Sequence, residues 1–220
     1  MNKARIYLEG TDDLYFFIDY IECVLKQKVN IEQSGKTRIC TFGDNRIELL
    51  TLGLGNDKGG WTRLNTKPVQ EDFRANMDDG IKTLVILDAD SEKNKGGFSS
   101  RTAQVEKIKE EEELDFSYFL IPNSSEDGDL EMLLRRILVE KYQPILSCLD
   151  AYHECLNDVQ TTLGENEKLQ ILNEKHKIAV FRKVVKDSKR INYKDNSIWN
   201  LNNPYLNPLK DFLKTQLGLA

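Results

Sequence analysis

Acidic side chains recur at the places in this 220-residue chain where short apolar runs end. Glu9 closes RIYLE (5–9), with Asp12 and Asp13 just beyond it. Asp88 and Asp90 close TLVILDAD (83–90), and Asp127, Asp129 and Glu131 follow FSYFLIP (116–122). Carboxylates gathered at one edge of a sheet repel one another unless a cation neutralises them. Hard oxygen donors of this kind suit Mg²⁺ or Mn²⁺, the ions of phosphoryl chemistry. The Asp-x-Asp spacing adds to this, since residues two apart at a strand end point the same way and both can reach one ion or a close pair.

Other chemical readings fail at particular residues. Cys148, His153 and Cys155 could begin a zinc site, but a fourth ligand is not evident and no C-x-x-C pair exists. Ser34-Gly35-Lys36-Thr37 imitates the end of a phosphate-binding loop, yet the required glycine is Asn30. Asp88–Ser99 starts like a calcium loop, with Lys93 where glycine is needed and Ser99 where glutamate is needed. Asp88-Ala89-Asp90-Ser91 is similar to the nucleophile motif of haloacid-dehalogenase-like phosphatases, which would make Asp88 the nucleophile; that family carries the motif on its first strand.

The elements that must position these acids read as alternating strands and helices. Residues 5–9 form a buried strand, and a helix runs from an N-cap at Thr11 to about Gln27 on Leu14, Phe17, Ile18, Ile21, Val24 and Leu25. RICTF and RIELLTL make a hairpin over about 38–52, followed by a glycine-rich loop, Gly53–Gly60, able to approach a phosphate backbone. A helix from Pro68 to Met77 stops at Gly80. The four successive apolar residues of LVIL imply burial on both faces, hence a central parallel strand. Helices are expected at about 101–113, 129–142, 144–157, 166–186 and 205–217, with a strand at 116–122. The expected fold is therefore α/β: a mostly parallel sheet flanked by helices over residues 1–140, with a helical extension, 141–220, packed on it.

Composition narrows the classes. Forty per cent hydrophobic and 30% charged residues describe an ordinary globular chain. No apolar run approaches the ~20 residues of a membrane span, and Glu9 interrupts the N-terminus before a signal-peptide core could form. Four irregularly spaced cysteines read as buried free thiols in a reducing cytoplasm. Net charge is −5, but residues 168–194 hold nine Lys or Arg against Glu174 and Asp187. An acidic body with one basic stripe suits a polyanion that must approach a metal site.

Taken together, LEGTDDLYFF, LVILDAD and IPNSSEDGDLEMLL resemble a Toprim domain, the fold of topoisomerases, DnaG-type primases and OLD-family nucleases, and most closely the small stand-alone OLD-like Toprim proteins. Glu9, Gly10 and Asp13 match an E-G-x-x-D setting, Asp88 and Asp90 the Asp-x-Asp, and Gly128, Leu130 and Glu131 a Gly-x-Leu-Glu helix start. KHKIAVF is similar to the lysine segment after the last acid, aligned on Lys177 or equally on Lys175. The hairpin at 37–52 looks like an insertion, and the ATPase module attached to OLD nucleases has no counterpart.

The resemblance implies a Toprim-like fold and a Mg²⁺- (or Mn²⁺-) dependent nuclease or phosphotransferase acting on phosphodiesters of DNA or RNA. Asp88, Asp90 and Glu131 would hold one ion and Asp13 contribute to a second. Glu9 would be a ligand or the acid/base, and Lys177 would offset charge on the reacting phosphorus centre. Lys175, Arg182, Lys183 and Lys186 would meet the nucleic acid. Two alternatives stand beside it: the phosphomonoesterase acting through Asp88, and a non-catalytic Toprim module that partners an ATPase.

Overall fold

The computed structural model describes residues 3–26, 28–35, 37–42, 45–52, 60–164, 167–186 and 192–219. Strand β1 (Lys3–Leu8) leads into helix α1 (Thr11–Leu25). Three antiparallel strands follow, β2 (Asn30–Ser34), β3 (Thr37–Phe42) and β4 (Asn45–Thr51). A 3-10 turn at Trp61–Asn65, α2 (Lys67–Asp78), β5 (Lys82–Asp88), α3 (Phe98–Glu111) and β6 (Ser117–Ile121) complete the sheet region. Helices α4 (Leu130–Ile137), α5 (Gln143–Thr162), α6 (Glu174–Val185) and α7 (Asn207–Leu217) make up the rest.

The six strands lie in the order β2-β3-β4-β1-β5-β6. β1 runs parallel to both β4 and β5, and β5 parallel to β6, with Leu8 opposite Ile86 and Asp88 opposite Ile121. β1, β4, β5 and β6 therefore end at one edge, as does the edge strand β2, and the chain following each emerges there. The fold is the expected α/β architecture: a mostly parallel sheet covered by helices on two faces, with a helical C-terminal region.

Alternation along the strands sorts side chains to two cores. Ile6, Leu8, Leu84, Ile86, Phe119 and Ile121 face α1, α4, α6 and α7, and one continuous cluster joins them to Phe181, Trp199, Leu209 and Leu213. Tyr7, Val85, Leu87 and Leu120 face α2 and α3, packing with Phe73, Val105 and Phe116. β5 is buried from Thr83 onward because it has a parallel neighbour on each side and helices above and below.

Several sequence expectations are corrected. β2 appears where no strand was expected, because NIEQS is polar and lies on the exposed edge of the sheet, without an apolar alternation to reveal it. α3 begins at Phe98 rather than Arg101, α4 ends at Ile137 rather than 142, and α5 continues to Thr162. The helix placed at 166–186 starts only at Glu174, where Asn173 caps it by accepting from the His176 N–H at 2.9 Å. Gly10 rather than Thr11 is the N-cap of α1. The cysteines are not all buried thiols: Cys40 is buried, Cys23 half-buried, and Cys148 and Cys155 are exposed on α5. Ser34 and Thr37 face each other across an antiparallel pair of strands, a setting unlike a phosphate-binding loop, and Lys36 lies outside the described residues. No helix among the described residues is long and apolar enough to cross a membrane.

Candidate functional site

Each acid at the strand ends is placed by one hydrogen bond to backbone. Glu9 follows β1 directly, and its Oε2 accepts from the Asp88 N–H at 3.1 Å, tying the ends of β1 and β5 together. Asp88, the last residue of β5, accepts through Oδ1 from the Leu130 N–H at 3.1 Å, which joins β5 to the start of α4. Asp13, in the first turn of α1, accepts from the Gly10 N–H at 2.8 Å, and Asp129 caps α4 by accepting from the Met132 N–H at 2.9 Å. These four bonds occupy one oxygen of each carboxylate. The other oxygen has no hydrogen-bond partner among the described residues.

Glu131 is the exception. It is 6% exposed, and its Oε2 is buried with no hydrogen-bond partner among the described residues. An orphaned buried carboxylate oxygen is costly and calls for an explanation.

The charges are strongly coupled. Burial first, then repulsion from Asp13, Glu9, Asp129 and Glu131, holds Asp88 well above the usual carboxylate range. Burial and the charge of Glu9 push Asp13 up to about 7, against the pull of the Gly10 N–H. Glu131 is likewise pushed up to about 7, by burial above all. Glu9 and Asp129 are raised by burial too, while their backbone N–H bonds act the other way. The cation that offsets them is Lys175: burial works against its charge, but Glu131, Asp88, Asp13 and Asp129 outweigh it and raise its pKa.

Lys177 sits elsewhere. Its Nζ donates to Asp150 Oδ1 and Glu174 Oε1, both at 2.8 Å, and Arg135 completes the cluster through the same two acids. Two helical residues turn roughly 200° about the axis, so when Lys175 faces the acids Lys177 faces α4 and α5. Of the two lysines the sequence left open, Lys175 is the one brought to the site.

Asp90 departs from the expected geometry as well. β5 stops at Asp88, and Asp90 adopts a left-handed backbone (φ 60°) rather than continuing on the same face. It exchanges two backbone hydrogen bonds with Gly128, at 2.7 and 2.8 Å, which locks the Asp-x-Asp segment to the Gly-Asp-Leu-Glu segment. The loop after it returns so closely that a Cβ on Gly96 would stand 2.4 Å from the Asp90 Cβ and 2.7 Å from the Ala89 carbonyl oxygen. Asp127 serves structure: it accepts from the Phe98 N–H at 2.7 Å and anchors the start of α3.

Of the basic residues, Lys186 is ion-paired with Asp195 at 2.7 Å, Arg182 is half-buried and Lys183 exposed on α6. Most of the glycine-rich loop, residues 53–59, lies outside the described residues, as do 187–191 of the basic stripe. Among the described residues no three Asp, Glu, His or Cys side chains stand close enough together to form a ready ligand set. The carboxylates are held at the same edge but apart, as uncompensated like charges must be. A cavity of about 360 Å³ lined by Lys3, Asn45, Lys82 and Gln216 lies at the opposite edge, where the strands begin.

A family model described as "Protein of unknown function (DUF3226)" matches residues 3–217. The chain belongs to the DUF3226 family. The match takes in every residue of this acidic edge, from Glu9 to Lys175, and the helical C-terminal region with it. No curated protein and no solved structure gives a significant match.

In this DUF3226 chain the chemistry of the donors, hard carboxylate oxygens, is of the kind a divalent cation takes, although the described side chains do not form a closed ligand set. Unspent carboxylate oxygens from three chain segments share one edge with the orphaned Oε2 of Glu131. Asp88, Asp90 and Glu131, with Glu9, Asp13 and Asp129 beside them, are the carboxylates that would hold it. Sequence reasoning placed Asp129 at this edge but gave it no role, and it missed Arg101 altogether, whose guanidinium pairs with Asp90. Asp129 was legible as an N-cap three residues before Met132; nothing local marked Arg101.

Proposed function

We propose that this protein is a Toprim-type, Mg²⁺-dependent nuclease or related phosphotransferase acting on the phosphodiesters of nucleic acid. The observation that carries the reading is the placement of Glu9, Asp13, Asp88, Asp129 and Glu131 at one sheet edge, with a buried oxygen of Glu131 lacking a partner among the described residues. Carboxylates buried along one edge at such cost to their ionisation serve a site more readily than a scaffold.

Asp88, Asp90 and Glu131 hold the ion in this reading, and Asp13 contributes to a second. A bound Mg²⁺ supplies stabilisation of charge at the attacking and leaving oxygens of an in-line displacement. Glu9, with Oε2 fixed on the Asp88 N–H, has its second oxygen to take or return the proton at the reacting oxygen. Lys175, rather than Lys177, offsets charge growing at phosphorus. Lys175, Arg182 and Lys183 on α6 meet the polyanion. The four free cysteines are in keeping with a reducing cytoplasm.

The test is incubation of the full chain with supercoiled plasmid, single-stranded DNA and RNA, with Mg²⁺, Mn²⁺ or EDTA. Cation-dependent cleavage lost in Glu9→Gln and Asp88→Asn is expected. Cleavage that survives both substitutions sinks the residue roles. Turnover of an aryl phosphate through a phosphorylated Asp88 would replace this reading with the phosphomonoesterase. Cation binding without cleavage would leave a module that works through a partner ATPase.

A further inference from the structure

Arg101 has no part in the chemistry described so far, yet it is among the most buried side chains in the molecule. It lies one turn into α3 and is 1% exposed, which is rare for an arginine unless its charge is answered. Nη2 donates to Asp90 Oδ2 at 2.5 Å and Nη1 to Gln104 Oε1 at 2.9 Å. The guanidinium carbon stands 4.2 Å over the ring centroid of Trp61, within cation–π range. Nε is buried without a hydrogen-bond partner among the described residues. The group is thus aimed at Asp90 rather than placed to satisfy all its own donors.

Asp90 is held from every other side. Its backbone is left-handed and bonded to Gly128, and the Gly96 backbone packs against its Cβ. With the main chain fixed, the remaining freedom is the carboxylate rotamer, and the bond from Arg101 to Oδ2 removes it. Oδ1 is left as the oxygen able to take a ligand. The same guanidinium charge also reaches Glu9.

We infer that Arg101 is a positioning residue of the acidic edge, fixing Asp90 for a divalent cation while Trp61 fixes Arg101. This rests on the cation reading above. Lysine could supply the charge but not the planar fork that bonds Asp90 and Gln104 while stacking on an indole. Groups that orient a ligand from behind are typically worth about 10–100-fold in metal affinity.

The experiment is calorimetric titration of the full chain with Mn²⁺ alone, for wild type, Arg101→Lys, Trp61→Leu, Asp90→Asn and the Arg101→Lys/Asp90→Asn double variant. Arg101→Lys is expected to weaken Mn²⁺ binding by about 10-fold or more. Trp61→Leu should weaken it less, and the double variant should bind no more weakly than Asp90→Asn. Unchanged affinity in Arg101→Lys, or an effect that adds fully to that of Asp90→Asn, overturns the inference and leaves the cation reading intact. If Arg101→Lys fails to fold, unchanged affinity in Trp61→Leu overturns it equally. A wild-type chain that binds no Mn²⁺ overturns the cation reading and this inference with it.

Discussion

At the scale of single residues, the acids were legible and their supports were not. An apolar run ending in an acid marks both the strand and the edge at which its side chain emerges, so Glu9 and Asp88 could be placed without coordinates. Lys175 and Lys177 could not be told apart, because choosing between them needs the phase of α6, and that depends on Asn173 capping the helix well after the expected start. Substitution separates them. Lys177→Met removes the ammonium shared by Asp150 and Glu174 and is expected to cost about 1–2 kcal/mol in urea unfolding, since two partly buried acids lose a partner. Lys175→Met is expected to destabilise less than Lys177→Met at pH 6, because the Lys175 side chain is exposed and makes no ion pair of the Lys177 kind, while abolishing cleavage. Equal destabilisation by the two would show that Lys175 is structural. Gly96 gives a second residue-scale prediction. Its missing side chain leaves room for Asp90, so Gly96→Ala should destabilise by about 1–3 kcal/mol and weaken Mn²⁺ binding as well. Gly80, with φ +64° and open space around it, is the control: Gly80→Ala should cost about 1–2 kcal/mol through its left-handed backbone alone and leave Mn²⁺ binding unchanged.

At the scale of elements, strand and helix identity followed periodicity wherever one face was apolar, as in α1, β5 and α4. It failed where no such face exists. β2 is a polar edge strand, and the residues before Glu174 carry apolar side chains at nearly helical spacing but form no helix. What fixes α6 is an ion cluster that sequence spacing does not reveal. Arg135 of α4 donates to Asp150 of α5 at 2.5 and 3.1 Å, and Glu174 and Lys177 of α6 join the same cluster. The bonds from Arg135, with those from Lys177, hold Asp150 down at about 2. This three-helix clamp sets the start of α6 and hence the reach of Lys175. Asp150→Asn should therefore do more than destabilise. Hydrogen exchange of the α6 amides should accelerate selectively, while those of β1 and β5 stay protected. Uniform acceleration across all helices would mean that the cluster contributes to global stability without positioning α6.

At the scale of the whole molecule, the acidic edge and the helix clamp oppose each other in pH. Asp13 and Glu131 have folded pKa values near 7, against unfolded values near 3.8 and 4.5. Between those limits the folded chain binds more protons than the unfolded one, so their stabilising contribution is complete below the unfolded values and is lost as pH rises through 7. Asp150 has the opposite sign: its folded pKa lies near 2, so its contribution is present above about 3.8 and is lost as pH falls towards 2. The two trends place the stability maximum near about pH 4 in the absence of divalent cation, with a fall from there through pH 7. A melting series in EDTA is expected to show Tm falling by several degrees from pH 6 to pH 8, on the scale of about 2–4 °C per kcal/mol for a chain of this size. A cation that binds the ionised carboxylates of the folded state stabilises it by mass action. Millimolar Mg²⁺ should therefore remove most of that fall at pH 8 and do little at pH 5, where the same groups are protonated. In Asp88→Asn, the Mg²⁺ effect at pH 8 should shrink. A Tm that climbs from pH 6 to pH 8 in EDTA would mean that these acids are not buried with their ionisation opposed in the folded protein, and the chemistry argued from that setting would lose its basis.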